Sequence, residues 1–311
     1  MKLWCFLHAF QNSPYRYFHL PVILEALLAS APSPGSWEIF FDRLRELSSG
    51  EPWWHELIAA TELLEEQEKS YFDPSIQRFT FFGDHDYPQA FSQSANPPLA
   101  LSYEGCLADF DRPCLSAVGS RDPHEFTRSW IQRDLYEFLK QTPVPIISGG
   151  ARGVDQMVHR LALLMNLPTM VFLPSGLSRK YPQLWQETQW RERPVTFVSE
   201  FPLGAPISKQ NFSSRNRLIA AASPMTLILE ARAKSGTLIT AHHSLIEGKV
   251  LGVVPGHPHL SHFSGSLELL SEGGCLVRNA SDLSFYFSGD LQHETGRMLS
   301  LDQSAQKSPY P

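Results

Sequence analysis

The sequence has few cysteines and no pair of them spaced to chelate or crosslink. Cys5, Cys106, Cys114 and Cys275 stand far apart with no CxxC. That argues against a disulfide frame or a zinc site, and it reads as buried or free thiols of a reducing compartment. There is no apolar run of about eighteen residues, so no transmembrane helix is expected. The first apolar stretches are broken by His8, Gln11 and Arg16, which does not fit a signal peptide. A cytoplasmic protein without membrane attachment is the expectation. Nucleotide fingerprints are missing too. Gly149, Gly150 and Gly153 cannot be laid on GxGxxG, and no GxxxxGK[ST] occurs, so neither a dinucleotide cofactor nor P-loop ATP hydrolysis is expected. His242, His243, His257, His259 and His262 lack an accompanying cysteine or carboxylate set, and no metal site is read from them.

Positive charge is also scarce overall, since the net charge of the 311-residue chain is −6. Its distribution reverses the implication. Residues 112–260 carry 17 Lys/Arg and 10 Asp/Glu, whereas the rest carries 9 and 22. A basic centre inside acidic flanks is what an anion-binding domain requires. With 42% hydrophobic and 19% charged residues, the chain is that of a globular protein with ample core.

Residues 1–72 read as a small acidic helical region. PVILEALLAS and WHELIAATELLEEQEKSYF have helical spacing, with Pro32, Pro34 and Gly35 between them. The aromatics Trp4, Phe6, Phe10, Tyr15, Tyr17 and Phe18 are assigned to its core. Residues 73–111 are a proline- and aromatic-rich connecting segment in which Leu99-Ala100-Leu101-Ser102-Tyr103 forms a short strand. From residue 114 the pattern becomes regular. Buried-strand runs fall at 115–118, 145–147, 169–173, 195–198, 225–229 and 250–254, separated by gaps long enough for helices. Repeated β-α-β implies an α/β fold, an extended Rossmann-like, mostly parallel sheet with helices on both faces. One more helix at 267–270 and a strand at 275–277 complete a domain spanning 73–285. Residues 286–311 are polar and read as a disordered tail.

Ligands of such sheets bind beyond the carboxyl ends of the strands, and the loops there share a character. They are Gly119-Ser120-Arg121, Ser148-Gly149-Gly150-Ala151-Arg152-Gly153, Arg179-Lys180-Tyr181, Glu200-Phe201-Pro202 and Glu230 through Thr237. Small residues let backbone amides approach an anion, and a cation stands beside most of these turns. The stretch KQNFSSRNRLIA, 209–220, concentrates them. It is read as a charged loop with Lys209, Phe212, Arg215, Asn216 and Arg217 leading into the buried face of a helix. Guanidinium groups grip phosphate oxygens bidentately, and a loop aromatic beside them can stack on a base. Phe212 either stacks or packs beneath the loop, and stacking is the reading adopted. Asp155 and His159, one helical turn apart, are read as a structural pair fixing a loop rather than an acid–base pair. Glu200 and Glu230 are read as partners of loop amides or arginines rather than catalytic carboxylates.

The order GSR, SGGARGVDQMVH, PSGLSRKYP, SEFPLG, FSSRNRLIA, LEARAKSGTLITA and VPG, with DYPQAF and NPPLALSYEG upstream, resembles the DprA/Smf DNA-processing proteins over about residues 83–274. The resemblance implies a non-enzymatic Rossmann-like protein that binds single-stranded DNA, forms a homodimer and delivers RecA onto DNA during natural transformation, without a cofactor. It places DNA contacts at Ser120 and Arg121, at the amides of Gly150, Ala151 and Arg152, at Lys209, Phe212, Arg215, Asn216 and Arg217, and at Lys234, Ser235 and Gly236. Many members end in a small winged-helix domain, for which too few residues follow 285. A rival resemblance is to phosphoribohydrolases, Rossmann-like enzymes that cleave N-glycosidic bonds and carry a PGGxGTxxE loop. KSGTLIT lacks the glutamate of that loop. A nucleotide sensor that binds without cleaving is the third reading.

Overall fold

The computed structural model describes residues 2–11, 13, 23, 26, 40–44, 52–181 and 193–289. The N-terminal helices α1 (Lys2–Gln11) and α2 (Pro52–Glu68) precede β1 (Gln77–Phe81), the short α3 (Gln89–Ser92) and β2 (Ala100–Glu104). The repeating part follows as β3 (Leu115–Val118), α4 (Glu125–Trp130), a π-helical turn (Ile131–Leu135), α5 (Tyr136–Gln141) and β4 (Ile146–Ser148). Next come α6 (Val154–Leu164), β5 (Thr169–Phe172), β6 (Val195–Ser199), α7 (Lys209–Ala221) and β7 (Met225–Ile228). The chain continues with α8 (Gly236–Ile246), β8 (Val250–Val253), α9 (Ser264–Ser271), β9 (Cys275–Leu276) and α10 (Ala280–Phe287).

Among the described residues these strands form one nine-stranded sheet in the order β1-β2-β6-β5-β4-β3-β7-β8-β9. Pairing is parallel from β6 through to β9, and antiparallel at β1–β2 and β2–β6. The parallel strands read as uninterrupted apolar runs because both faces are covered. Neighbouring residues of one strand go to opposite layers. Ile147, Val118 and Ile228 join a core with Leu218, Ile219 and Ala241 of α7 and α8. Ile146, Leu115 and Leu227 join one with Trp130, Phe138, Val158 and Leu283 of the opposite helices.

The antiparallel edge differs from the connecting segment expected at 73–111, where only one strand was read. β1 was not anticipated because its sequence, QRFTF, lacks a clean alternation and its partner lies across a proline-containing stretch. The prolines sit between the strands, and the DYPQAF element turns inward. Tyr87 is buried, donates to the carbonyl of Pro98 at 2.7 Å and packs edge-on against Phe91. At the end of β2 the chain passes so close to β6 that Gly105, at φ +114°, would place a Cβ 2.7 Å from the carbonyl oxygen of Val195, so only glycine fits.

The N-terminal helices do form an aromatic core. Trp4, Phe6 and Phe10 are fully buried with Phe40, Leu44 and Trp53, against Leu99 and Ala100 of the sheet edge. Trp4 also stacks on Phe79 of β1 at 5.1 Å. Tyr15, Tyr17 and Phe18 lie outside the described residues, as does the tail beyond 289. Glu68, at the end of α2, accepts from the amides of Leu203 and Gly204, which ties the helical region to a loop at the carboxyl end of the sheet.

Candidate nucleic-acid interface

The chain order fixes where a ligand can sit. From β3 it builds outward through β4, β5 and β6, then returns across α7 to place β7 on the other side of β3. The two winding directions part at β3 and β7, and their carboxyl ends leave a crevice. A cavity of about 440 Å³ occupies it. The GSR loop after β3 supplies Ser120 and Arg121, α7 supplies Lys209, Phe212, Arg215 and Asn216, and the start of α8 supplies Ser235, Gly236 and Thr237.

The stretch 209–220 is helical from its first residue, not a loop leading into a helix. Ser208 is the N-cap, and its hydroxyl accepts from the Asn211 amide at 3.1 Å. Residues on a helix turn by about 100° each, so positions 209, 212, 216 and 219 line the cavity. Arg217 faces the other way. Its Nη2 ion-pairs with Glu200, its Nη1 donates to the carbonyl of Asn96 at 3.0 Å, and it lines a neighbouring cavity with His8, Gln11 and His243. Two arginines separated by one residue therefore serve different places.

Arg215 forms the cavity floor. It is 3% exposed, its Nη1 donates to the carbonyl of Phe172 at 2.9 Å, and Asp155 lies within electrostatic reach. Burial lowers its pKa to about 10, opposed by Asp155, so it remains cationic at neutral pH. The guanidinium runs directly beneath Gly149, where a Cβ would overlap Nη1 and lie 2.5 Å from Cζ. The first glycine of SGGARG thus makes room for a cation. The Nε of Arg215 is buried with no hydrogen-bond partner among the described residues. A buried, unsatisfied donor on a cavity floor is a place for an acceptor.

Phe212 stands half-buried on the wall. The guanidinium of Arg121 lies 5.2 Å from its ring centroid, that of Arg215 lies 5.7 Å away, and Tyr181 meets it edge-on at 6.0 Å. The ring is preorganised rather than loose, with Arg121 as its exposed cover. Opposite, α8 begins at Ser235, whose hydroxyl caps nothing and is buried without a partner among the described residues. The helix start adds unpaired amides and the positive end of the helix dipole. Asn216 ties the two helices by donating to the carbonyl of Gly236 at 3.3 Å.

Of the residues singled out in the sequence, Ser120, Arg121, Ala151, Lys209, Phe212, Arg215, Asn216, Ser235 and Gly236 share this cavity. Gly150, at φ +69°, and Lys234, at φ +59°, shape adjoining turns without lining it. Arg152 stands in a groove behind the GSR loop. Thr240 lines the cavity unanticipated, whereas Arg232 and Thr237 belong to the rim loop read at Glu230 through Thr237 without being singled out as contacts. The first turn of a helix was a readable signal for Thr237, whereas Arg232 had none beyond its loop position.

Asp155 and His159 are each held by a further partner. The Asp155 carboxylate accepts from the Ala151 amide at 3.3 Å, and His159 Nδ1 meets the Thr169 hydroxyl at 2.7 Å. Glu230 accepts from the His124 amide and the Thr127 hydroxyl, and Glu200 from Arg217 and Gln11. Both glutamates are partners of amides, hydroxyls and arginine, and neither lines the cavity. His262 meets Arg232, and no group of three metal-ligating side chains occurs among the described residues. No described helix is long and apolar enough to cross a membrane.

The buried His159 and the half-buried His8 make stability pH-dependent. Burial lowers the pKa of His159 to about 3 and of His8 to about 4, against about 6.5 in an unfolded chain. Between those values the unfolded state takes up a proton that the folded state does not, so stability falls as pH falls from about 6.5 to 4. Each histidine contributes a slope of about 1.4 kcal/mol per pH unit. Burial raises the Asp155 pKa and acts in the opposite sense. The test is therefore the difference between wild type and His159→Asn in urea denaturation across this window. The variant is expected to lose about 1.4 kcal/mol per pH unit of slope, and an unchanged slope would refute a neutral His159.

The family model for DNA recombination-mediator protein A matches residues 78–288. The chain is 31% identical to protein Smf of Synechocystis sp. over 207 residues, covering 64% of this chain and 51% of that protein. It is 33% identical to protein Smf of Escherichia coli over 199 residues, covering 63% of this chain and 53% of that one. The match spans about half the length of these curated relatives. Among solved structures, DNA processing protein A of Streptococcus pneumoniae superposes with a TM-score of 0.71 at 22% identity, over 88% of this chain and 94% of that one. The Helicobacter pylori protein, described for its single-stranded DNA binding mode, gives 0.59 at 26% identity over 70% and 96%. Every strand from β2 to β9 and each loop of the cavity lies inside the matched residues, and the chain belongs to the DNA recombination-mediator protein A family, the DprA/Smf proteins.

Proposed function

We propose that this chain binds single-stranded DNA in the crevice at β3 and β7, protecting incoming DNA and loading RecA recombinase onto it during natural transformation. It acts without turnover, as a cytoplasmic homodimer. The observation that carries the DNA-binding reading is the composition of the cavity. Arg121, Lys209, Arg215 and the start of α8 converge on it, beside one aromatic wall at Phe212. Phosphate oxygens meet the α8 amides and the exposed cations of the rim, with Arg215 supplying positive charge from the floor. A base replaces Arg121 over the Phe212 ring. The Helicobacter pylori relative binds single-stranded DNA and shares the fold on which these residues stand.

The KSGTLIT loop lacks the glutamate that the enzymatic reading requires there. Of the two carboxylates lining the cavity, Asp155 is occupied by backbone amides and lies beside Arg215, while Asp122 is exposed on the rim. Glu230, the acid that would serve N-glycosidic cleavage, is turned to His124 and Thr127. Competition against a labelled single strand tests the choice. An unlabelled single strand is expected to displace it far below the concentration needed of duplex or of nucleoside monophosphate. Base release from nucleoside monophosphates, or displacement by them as effective as by oligonucleotides, would contradict the proposal.

A further inference from the structure

Behind the GSR loop, on the side away from the crevice, a groove of about 350 Å³ runs between α4 and α6. Four arginines line it, namely Arg121, Arg128, Arg152 and Arg160, with Asp122 the one carboxylate of the lining among the described residues. All four are exposed, and none is in an ion pair among the described residues. The backbone holds two of them together. The Val154 amide donates to the carbonyl of Ser120 at 3.0 Å, and Gly153, at φ +91°, would place a Cβ 2.6 Å from the Arg121 carbonyl carbon. The GARG and GSR loops are thus packed backbone to backbone, and Arg152 follows Arg121.

The side chains are anchored in a way that leaves their gripping ends open. Arg128 uses its Nε on the carbonyl of Pro123 at 3.1 Å, and Arg152 its Nε on the carbonyl of Arg121 at 3.4 Å. Both Nη nitrogens of each remain available for bidentate contact with a phosphate. Four like charges gathered beside a single carboxylate of the lining oppose folding locally, and such an arrangement is offset by a polyanion. Arg121 and Asp122 line both this groove and the crevice, so the two sites are continuous through the GSR loop.

We propose that the groove is a second phosphate track. It takes the sugar-phosphate backbone of a single strand as the strand leaves the crevice, with Arg128 and Arg160 as contacts outside the conspicuous loop motifs. The proposal rests on the crevice being a single-strand site.

The test uses the full chain, with labelled oligothymidylates of about four and about sixteen nucleotides. The Arg128→Gln/Arg160→Gln variant is expected to bind the short strand within about twofold of wild type and the long one about tenfold more weakly. Its salt slope on the long strand should fall by about 1.4, or about 0.7 for each of two phosphates. Arg128→Lys/Arg160→Lys, which keeps the charge, should restore most of that slope. Equal loss on both lengths, no loss on either, or loss confined to duplex would overturn the track while leaving the crevice in place. Failure of the wild type to bind either strand would overturn the track together with the reading beneath it.

Discussion

Replacing Gly149 with alanine is expected to destabilise the protein by about 3 kcal/mol and to abolish tight binding of a single strand together. The new Cβ overlaps the Arg215 guanidinium. That group is the far end of a flexible side chain, yet it is fixed, because its Nη1 bonds the Phe172 carbonyl and its surroundings are buried. Its escape is upward into the crevice. There it fills the space a phosphate needs and leaves Asp155, 7% exposed, without its neighbouring cation. Urea denaturation and anisotropy measured on one preparation check both effects. Arg215→Met removes the group that the new Cβ meets, at the cost of the cation beside Asp155, so adding Gly149→Ala to it should cost little further stability. A full further loss of about 3 kcal/mol in the double variant relative to Arg215→Met would show that the clash lies elsewhere.

Arg121→Ala and Arg217→Ala are expected to separate binding from stability. Arg121 is exposed, so its loss should cost about tenfold in single-strand affinity, roughly 1.4 kcal/mol for the phosphate contact removed, with little change in denaturation midpoint. Arg217 is 9% exposed and paired with Glu200, which is 4% exposed. Its removal leaves a buried carboxylate without its cation, with Gln11 still donating to it, and should cost about 3–5 kcal/mol of stability. The reverse pattern would exchange the roles assigned to the two residues.

That exchange is where sequence and structure diverge, and the reason is geometric. RNR was legible as a cation pair near an anion site. Its division was not, because the stretch was read as a loop. Taken as a helix from Lys209, residues 215 and 217 stand about 200° apart, and only one of them can face the crevice. The parallel strands were legible because burial on both faces forces continuous apolar runs such as Thr169–Phe172. β1 was not, since an edge strand has one packed face and its pairing with β2 depends on contacts made at a distance. The glycines of SGGARG were read as access for an anion. Gly149 in fact gives passage to a guanidinium that arrives from α7, 66 positions later in the chain. Arg128 and Arg160 carried no local signal at all, because they become neighbours only when α4 and α6 lie side by side.

The central claim is that the cations at the β3 and β7 crevice hold the phosphates of a single strand. The salt dependence of binding, measured by anisotropy of a labelled single strand for wild type and Arg121→Ala, tests it most directly. Logarithmic affinity should fall linearly with logarithmic salt in the wild type, with a slope smaller by about 0.7 in the variant. A wild-type affinity indifferent to salt, or the same slope in both proteins, would contradict it.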